Sequence, residues 1–414
     1  MENNESKETF LGMKIAFCMI NCNRRDGSAR AVNEVAERLA DAHEVHLFAR
    51  KAEDLDLQKV RWHRVRGPGW PEVMDFASYH FTAGRMLRAR RFDIVHSIGC
   101  NVPRADVVTI QNVQPAKRRV MKQCGGYERV SMARRFTRML YLRVTCAAER
   151  RLYAYRPGYR PPTFLPVSRG TEAELRAHYP IGPAAVRVIP NAANTGVFHP
   201  IPEAERREWR ERNGIRPDGT MLIFSGGEWV RKGLEDAIRG VARLDRADVQ
   251  LYVAGDDPDR ERYRLLARET GLGERIVFGG FRCDIATALA AADVFLFPSW
   301  YEAFSLATIE AAACGLPVVA TRINGAEDFI QPHVTGEFIE HDAEQIASVL
   351  RPLVDDAGMR RRMGDNARLL VGQSYTWDRV AAMTGEAYRE HLDARQGCDG
   401  ENTTAKMNPA LTIP

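Results

Sequence analysis

One stretch in the second half of the chain constrains the fold more than any other: residues 294–320, VFLFPSWYEAFSLATIEAAACGLPVVA. A short apolar run ends at Pro298, helix-forming residues follow over 305–314, and a Gly-Leu-Pro sequence precedes a second apolar run. Strand, loop, helix and strand in this order form the repeating unit of a parallel sheet covered by helices, and similar alternation recurs on both sides of a Pro-rich linker at 200–202. The sequence therefore predicts two doubly wound α/β domains.

The predicted domain boundaries follow from this alternation and from the linker. Residues 13–198 form an N-terminal Rossmann-like domain and residues 199–374 a C-terminal one, while a helix over 375–391 packs back on the first domain. Residues 392–414 have the composition of a disordered tail. At 414 residues the chain is long enough for two domains of ordinary size. We expect the two sheets to face a central cleft, because parallel sheets bind ligands at the carboxyl ends of their strands.

The helix that begins near Ser305 predicts an anion site. The first amides of a helix have no intrahelical partner, so the amides from about Ala303 to Leu306 would point into the cleft. Glu302 stands before these amides, and Glu310 lies further along the helix. Two carboxylates on either side of an anion site favour a ligand with hydroxyls at both ends, such as a nucleotide sugar, although similar units with two glutamates are common in α/β proteins.

A second candidate anion site follows the first strand of the C-terminal half. Arg231 and Lys232 lie between Gly226-Gly227 and Gly233, where a strand gives way to a helix. A guanidinium can bind two oxygens of a diphosphate while an ammonium supplies a compact charge. The alternative, that both are ordinary surface charges, remains open from these residues alone.

Five residues of the N-terminal half are candidates for the opposite wall of the cleft. Gly27 and Ser28 stand at a helix start, where a glycine allows close approach of a ligand to the backbone or serves only as a turn. His96, Gln111 and Asn112 follow or end predicted strands, so they would lie on the cleft floor or satisfy loop backbone groups.

Composition excludes several classes of function. The eight cysteines are scattered without the paired spacing of a zinc site, so we predict no metal. No apolar run approaches the roughly 18 residues of a membrane span, and the first ten residues lack a signal-peptide core, which predicts a cytoplasmic protein.

The small net charge of +5 conceals a basic region over residues 117–151. Eleven Lys and Arg residues stand there against two Glu residues, interleaved with aromatic and aliphatic side chains. Such a pattern predicts peripheral binding to an anionic inner-membrane surface, with a solvated basic helix as the alternative. No nucleic-acid motif accompanies it, so we expect no nucleic-acid partner.

Taken together, four motifs resemble the family 4 retaining glycosyltransferases of the GT-B fold: the turn 226–233, the turn 278–282, the strand 291–298 and Glu302-x7-Glu310. The resemblance is strongest to members that act on lipopolysaccharide core. It implies retaining, metal-independent transfer of a hexose, glucose by default, from a UDP-sugar to a cell-envelope saccharide or lipid-linked acceptor. No cofactor is implied.

The same resemblance implies roles for individual residues. Arg231 and Lys232 would stabilise the departing diphosphate, and Glu302 would hold sugar hydroxyls. Glu310 would bind the ribose, and Gly27 would let the first loop reach the diphosphate. Further contacts to sugar, phosphate or base are implied for Phe281, Arg282, Phe304, Ser305 and Leu306.

Two other classes of function compete with this interpretation. The first is a GT-B protein without turnover that acts as a scaffold in an envelope pathway. The second is a nicotinamide-dependent oxidoreductase, which the sequence disfavours because no Gly-x-Gly-x-x-Gly motif follows the first strand.

Overall fold

Two six-stranded parallel sheets organise the chain in the computed structural model, which describes residues 12–23, 27–125, 132–156, 161–182 and 185–406. The first sheet contains β1 (Lys14–Cys18), β2 (Glu44–Ala49), β3 (Arg61–Arg64), β4 (Ile94–Ile98), β5 (Val107–Ile110) and β6 (Thr163–Pro166). The second contains β7 (Thr220–Ser225), β8 (Val249–Ala254), β9 (Ile276–Gly280), β10 (Val294–Phe297), β11 (Val318–Thr321) and β12 (Gly336–Ile339).

Both sheets have the same strand order, 3-2-1-4-5-6 within each set of six. This is the order of a doubly wound fold, and it reverses direction next to the first strand, where such folds bind their ligands. The predicted fold class, two Rossmann-like sheets, is therefore confirmed. A separate short ladder pairs Asn21–Cys22 with Lys51–Ala52.

Helices cover both faces of the two sheets. Those of the first half are α1 (Gly27–Leu39), α2 (Glu72–Arg88), α3 (Gln114–Gln123), α4 (Met132–Tyr153) and α5 (Arg169–His178). Those that follow are α6 (Glu203–Arg212), α7 (Trp229–Lys232), α8 (Leu234–Ala242), α9 (Arg260–Glu269), α10 (Ile285–Ala290), α11 (Leu306–Ala313), α12 (Ala326–Phe329), α13 (Ala343–Asp355), α14 (Ala357–Ser374) and α15 (Trp377–Lys406). Among the described helices none is long and apolar enough to cross a bilayer.

The central strands are buried along their whole length, which explains their continuous apolar sequences. Every residue of β7 is buried, and the strand pairs in parallel with β8 on one side and β10 on the other. A strand covered by helices on both faces has no solvent side, so its residues do not alternate between apolar and polar. The carboxyl ends of these strands deliver the loops of the central cleft.

The last helix returns to the first half of the chain. In α15, Tyr388 is buried and its hydroxyl lies 2.6 Å from His96 Nδ1 of β4, while Leu392 packs against the core beside α1. The helix continues through Lys406, whereas the sequence predicted disorder from residue 392. Leu392 extends the packed face of the helix beyond the predicted end at residue 391. The remainder of the predicted tail, 407–414, lies outside the described residues.

Candidate active site in the central cleft

The central cleft encloses about 700 Å³ between the two sheets, a volume typical of small-molecule sites. Side chains and backbone of both halves line it. With the exception of His96, it contains every residue predicted for the site: Gly27, Ser28, Gln111, Asn112, Gly226, Gly227, Arg231, Lys232, Phe281, Arg282, Glu302, Phe304, Ser305, Leu306 and Glu310.

Arg231 is held in place by two carboxylates. Its Nη1 lies 2.7 Å from Glu302 Oε1 and also donates to the carbonyl of Tyr301 at 2.6 Å, while its Nη2 lies 2.7 Å from Glu228 Oε2. Burial opposes the charge of Arg231, but the two carboxylates more than offset it and raise its pKa. Arg231 is therefore a permanent cation whose guanidinium is oriented before any ligand binds.

This orientation depends on a helical turn that the sequence did not predict. The predicted turn 226–233 contains the four-residue helix α7, bounded by Glu228 at φ 51° and Gly233 at φ 74°. The buried Trp229 anchors it, because its Nε1 donates to the carbonyl of Gly226 at 2.8 Å. The anchor fixes Arg231 and Lys232 at the edge of the cleft.

Lys232 approaches the backbone of Gly226 closely. Its Nζ lies 3.4 Å from the carbonyl of Ser225 and 5.1 Å from the ring centre of Phe297, and burial lowers its pKa. A Cβ at Gly226 would lie 2.1 Å from this Nζ, and Gly226 has a φ of 123°. The backbone conformation therefore favours glycine here, and a Cβ would also displace the ammonium of Lys232.

The N-terminus of α11 faces the same cleft. Ser305 caps the helix, because its hydroxyl accepts a hydrogen bond from Thr308 N at 3.3 Å. The helix begins at Leu306, one residue later than predicted, since Ser305 adopts the extended conformation of a cap. The free amides of this first turn remain available to an anion.

Glu310 lies on α11 with its side chain 8% exposed. Burial raises its pKa to about 7, although Arg30 and Lys232 oppose that shift. Arg30 reaches it from α1 in the other half of the chain, with 2.5 Å between Nη2 and Oε1.

The N-terminal wall is joined to the C-terminal loop by polar contacts. Gln111 Nε2 donates to Asn191 Oδ1 at 3.3 Å, and Asn191 Nδ2 donates to the carbonyl of Phe304 at 3.3 Å. A Cβ at Gly27 would lie 3.3 Å from Leu306 Cδ1, which shows how closely the start of α1 approaches α11.

The residues predicted to frame a base also line the cleft. Phe281 is 67% exposed. Arg282 forms an ion pair with Asp284 at 2.6 Å and lies over the ring of Trp209 at 5.8 Å. A flat, exposed ring beside an anchored guanidinium offers two surfaces on which an aromatic ligand can stack.

His96 does not line the cleft, so its predicted place on the cleft floor is wrong. Its ring is 2% exposed and lies between the Tyr388 hydroxyl at 2.6 Å and Thr109 Oγ1 at 2.7 Å. Burial lowers its pKa to about 3. The side chain points into the layer covered by α15, because residue 96 lies within β4 rather than after it.

Two family profiles match the chain, one for each half. "Glycosyltransferase Family 4" matches residues 25–197 and "Glycosyl transferases group 1" matches residues 205–370. The chain belongs to the family 4 glycosyltransferases. Both profiles include residues of the cleft, so the site lies between two halves that are each typical of the family.

Individual relatives support this membership. The chain is 27% identical over 349 residues to MMP alpha-(1->4)-mannosyltransferase of Mycolicibacterium hassiacum, covering 80% of this chain and 78% of that enzyme. It is 30% identical over 207 residues to lipopolysaccharide glucosyltransferase WaaG of Escherichia coli, covering 47% of this chain and 54% of that one. The chain thus spans only about half the length of WaaG in that sequence alignment.

Solved structures resemble the fold over nearly all of their length. A crystal structure of WaaG superposes with a TM-score of 0.74 at 24% identity, covering 89% of this chain and 98% of that chain. HepE of Anabaena, in complex with UDP and glucose, gives 0.69 at 17% identity and covers 91% and 100%. At these levels of identity, the structural similarity shows a shared fold only.

Four charged residues of this glycosyltransferase line the cleft although the sequence did not single them out for the site. They are Arg30, Lys117, Glu228 and Asp256. Lys117 belonged to the region predicted to lie on a membrane, but it projects from α3 into the cleft, where burial lowers its pKa. For Arg30 the sequence did contain a usable signal: it follows Gly27, which was predicted to line the cleft, by one turn of α1, so both residues lie near the start of the same helix.

No cluster of His, Cys, Asp and Glu suited to a metal ion occurs in the part of the glycosyltransferase that the structure describes. The basic and amide groups of the cleft suit an anionic, hydroxyl-rich ligand directly.

Proposed function

We propose that the protein is a retaining, metal-independent glycosyltransferase that moves a hexose, glucose by default, from a UDP-sugar to a cell-envelope acceptor such as lipopolysaccharide core. The observation that carries the proposal is the convergence of Arg231, Lys232 and the first turn of α11 on one cleft. These groups place positive charge and free amide donors where a diphosphate would lie between the halves.

The proposed chemistry needs this charge when the donor bond breaks. The anomeric carbon loses its bond to the terminal phosphate oxygen and gains one to the acceptor hydroxyl oxygen on the same face of the sugar. The acceptor proton passes to the departing phosphate oxygen. Negative charge develops on the diphosphate during this step, and Arg231 and Lys232 stabilise it without a metal ion.

The two carboxylates on either side of the anion site bind hydroxyl groups of the donor, one at the sugar and one at the ribose. Glu302 is held by Arg231 near the sugar end, where it accepts hydrogen bonds from donor hydroxyls. Glu310 lies further along α11, at the position proposed for the ribose. Phe281 and Arg282, which also line the cleft, frame the base.

The donor and the acceptor class are tested first by a screen of UDP-, GDP- and ADP-sugars for hydrolysis without acceptor. UDP release is then measured for Arg231→Met and Glu302→Gln, with and without EDTA. Arg246→Met is the matched control, because Arg246 forms ion pairs with Asp248 and Asp355 outside the cleft. We expect the two cleft variants to lose at least roughly a hundredfold in rate, the control to keep it, and EDTA to have no effect.

Retained activity in both cleft variants would remove the proposed site. Failure of the intact protein to bind any nucleotide sugar in calorimetry would instead favour the role of an inactive scaffold.

We further propose that the protein works at the inner face of the cytoplasmic membrane. On α4, Phe136, Met139 and Leu140 are 62%, 42% and 39% exposed, and basic residues stand among them. The helix packs on α2, where Met74 and Phe81 are also exposed. An apolar surface mixed with basic side chains suits an anionic bilayer. Residues 126–131 of the predicted basic region lie outside the described residues.

Vesicle co-sedimentation tests this second proposal. Wild type should sediment with vesicles that contain anionic lipid and remain in solution with zwitterionic ones. A Phe136→Ser and Leu140→Ser double variant should lose most of this binding, whereas Leu369→Ser, at a side chain that is 60% exposed on α14, should keep it. Equal sedimentation of all three proteins would refute the proposed surface.

A further inference from the structure

The Arg30–Glu310 ion pair crosses the cleft. Arg30 lies on α1 and Glu310 on α11, and their side chains are 24% and 8% exposed. Among the described residues, Arg30 is the only side chain that contacts the Glu310 carboxylate within hydrogen-bond distance. The carboxylate proposed for the ribose is therefore already paired with a cation from the opposite half.

Charge is unevenly divided between the two walls of the cleft. The C-terminal half supplies three cations, Arg231, Lys232 and Arg282, and four carboxylates, Glu228, Asp256, Glu302 and Glu310. The described residues of the N-terminal half supply Arg30 and Lys117 and no carboxylate. With four carboxylates against three cations, the side chains of the C-terminal wall offer a diphosphate no net positive charge.

The C-terminal cations are also partly neutralised where they stand. Arg231 already interacts with Glu302, Glu228 and the carbonyl of Tyr301. Lys232 and the amides of α11 remain, but a diphosphate carries two negative charges or more. Additional cations must come from the opposite wall, and Arg30 is the one that the structure places against α11.

Building on the proposed function, we propose that donor binding exchanges the partners of Arg30: the ribose hydroxyls take the Glu310 carboxylate, and the released Arg30 guanidinium binds the diphosphate. Arg30 is then a substrate-binding residue that senses both ends of the nucleotide. Before binding it competes with the nucleoside for Glu310, and after binding it holds α1 against the phosphates and so keeps the two halves in contact.

This exchange predicts effects of opposite sign on two ligands. In Arg30→Met, uridine should bind more tightly than in wild type, because its hydroxyls no longer displace a cation from Glu310. UDP should bind roughly tenfold more weakly or worse, because a charge-assisted contact to phosphate is lost. Arg30→Lys keeps a cation but loses the two-oxygen geometry, so its UDP affinity should lie between those of wild type and Arg30→Met.

The test is isothermal titration of the full-length protein with uridine and with UDP. The matched control is Arg38→Met, since Arg38 lies two turns further along α1 and pairs with Glu34 and Asp378 away from the cleft. Circular dichroism and thermal unfolding confirm that each variant is folded. We expect the control to bind both ligands as wild type does.

Three results would overturn the exchange. If uridine and UDP affinities fall together, Arg30 only positions Glu310. If neither changes, Arg30 makes no contact with the ligand. If wild type binds no UDP, or if its UDP binding does not depend on Arg231, the proposed function fails as well. If UDP binding depends on Arg231 but not on Arg30, only the exchange is refuted.

Discussion

Replacement of Glu149 by Gln should make the protein more stable above neutral pH. Glu149 lies on α4, is 2% exposed, and accepts hydrogen bonds from the Tyr179 hydroxyl at 2.6 Å and from Gln114 N at 3.3 Å. Burial raises its pKa to about 7, even though both hydrogen bonds act in the opposite direction. In the fold, burial therefore favours the protonated carboxyl of Glu149 over the charged carboxylate, and the two hydrogen bonds offset only part of this preference.

The sign and size of the effect follow from linkage. The pKa of Glu149 is about 7 in the fold against an ordinary value of 4.5, so the folded protein binds the proton more tightly than the unfolded chain does. Its contribution to stability is fully present below pH 4.5 and is lost as the pH rises through about 7. At about 1.4 kcal/mol per pKa unit, the total loss is about 3 kcal/mol.

Urea unfolding of wild type and Glu149→Gln from pH 4 to pH 8.5 at constant ionic strength measures this difference. A glutamine oxygen can still accept from Tyr179 and Gln114, so the two proteins should differ little at pH 4. The variant should gain about 3 kcal/mol relative to wild type by pH 8. Glu310, whose pKa is also raised to about 7, is present in both proteins and cancels from the difference. Parallel stability curves would refute the reasoning.

Two further substitutions test the cleft, and a pair of substitutions on α14 tests packing away from it. Gly226→Ala should weaken UDP binding in calorimetry while the protein still folds, because its Cβ would displace the Nζ of Lys232 and because alanine is strained at a φ of 123°. Lys117→Met should weaken UDP binding by roughly three- to tenfold, since Lys117 adds charge to the cleft from α3. Gly364→Ala should lower the free energy of unfolding by about 1–3 kcal/mol, because its Cβ would lie 1.9 Å from the carbonyl oxygen of Gly315. Gly372→Ala, on the same helix with no atom within 4 Å of its Cβ, should instead leave stability unchanged or raise it by up to about 1 kcal/mol.

The fold could be predicted because buried parallel strands leave a strong sequence signal. The run 294–297 and its equivalents are continuously apolar, and glycines and prolines separate them from helices. The helix α7 could not be predicted in the same way. It is a single turn held by the indole of Trp229 and by two residues at positive φ, and those tertiary contacts leave no periodic pattern.

The cleft residues, too, could be predicted where local sequence determines their position and could not where distant parts of the chain do. Arg231, Lys232, Glu302 and Glu310 lie in local strand-loop-helix units, so their neighbours in sequence also predict their neighbours in space. The prediction for His96 was wrong because the sequence of a strand indicates which residues are buried, but not which of them are covered by a helix from elsewhere in the chain. That helix, α15, is almost three hundred residues away in the chain.

Arg30 and Lys117 were missed for a different reason. Each lies on a helix whose polar face is ordinary in sequence, and each becomes significant only because the opposite sheet places carboxylates in front of it. Since the C-terminal wall carries four carboxylates against three cations, its side chains alone offer a diphosphate no net positive charge. The cations of α1 and α3 improve that balance because the two halves already meet, as the contact between Arg30 and Glu310 shows. Neutralisation of the ligand's charge therefore depends on contact between the halves, and variants that loosen this contact should weaken nucleotide binding.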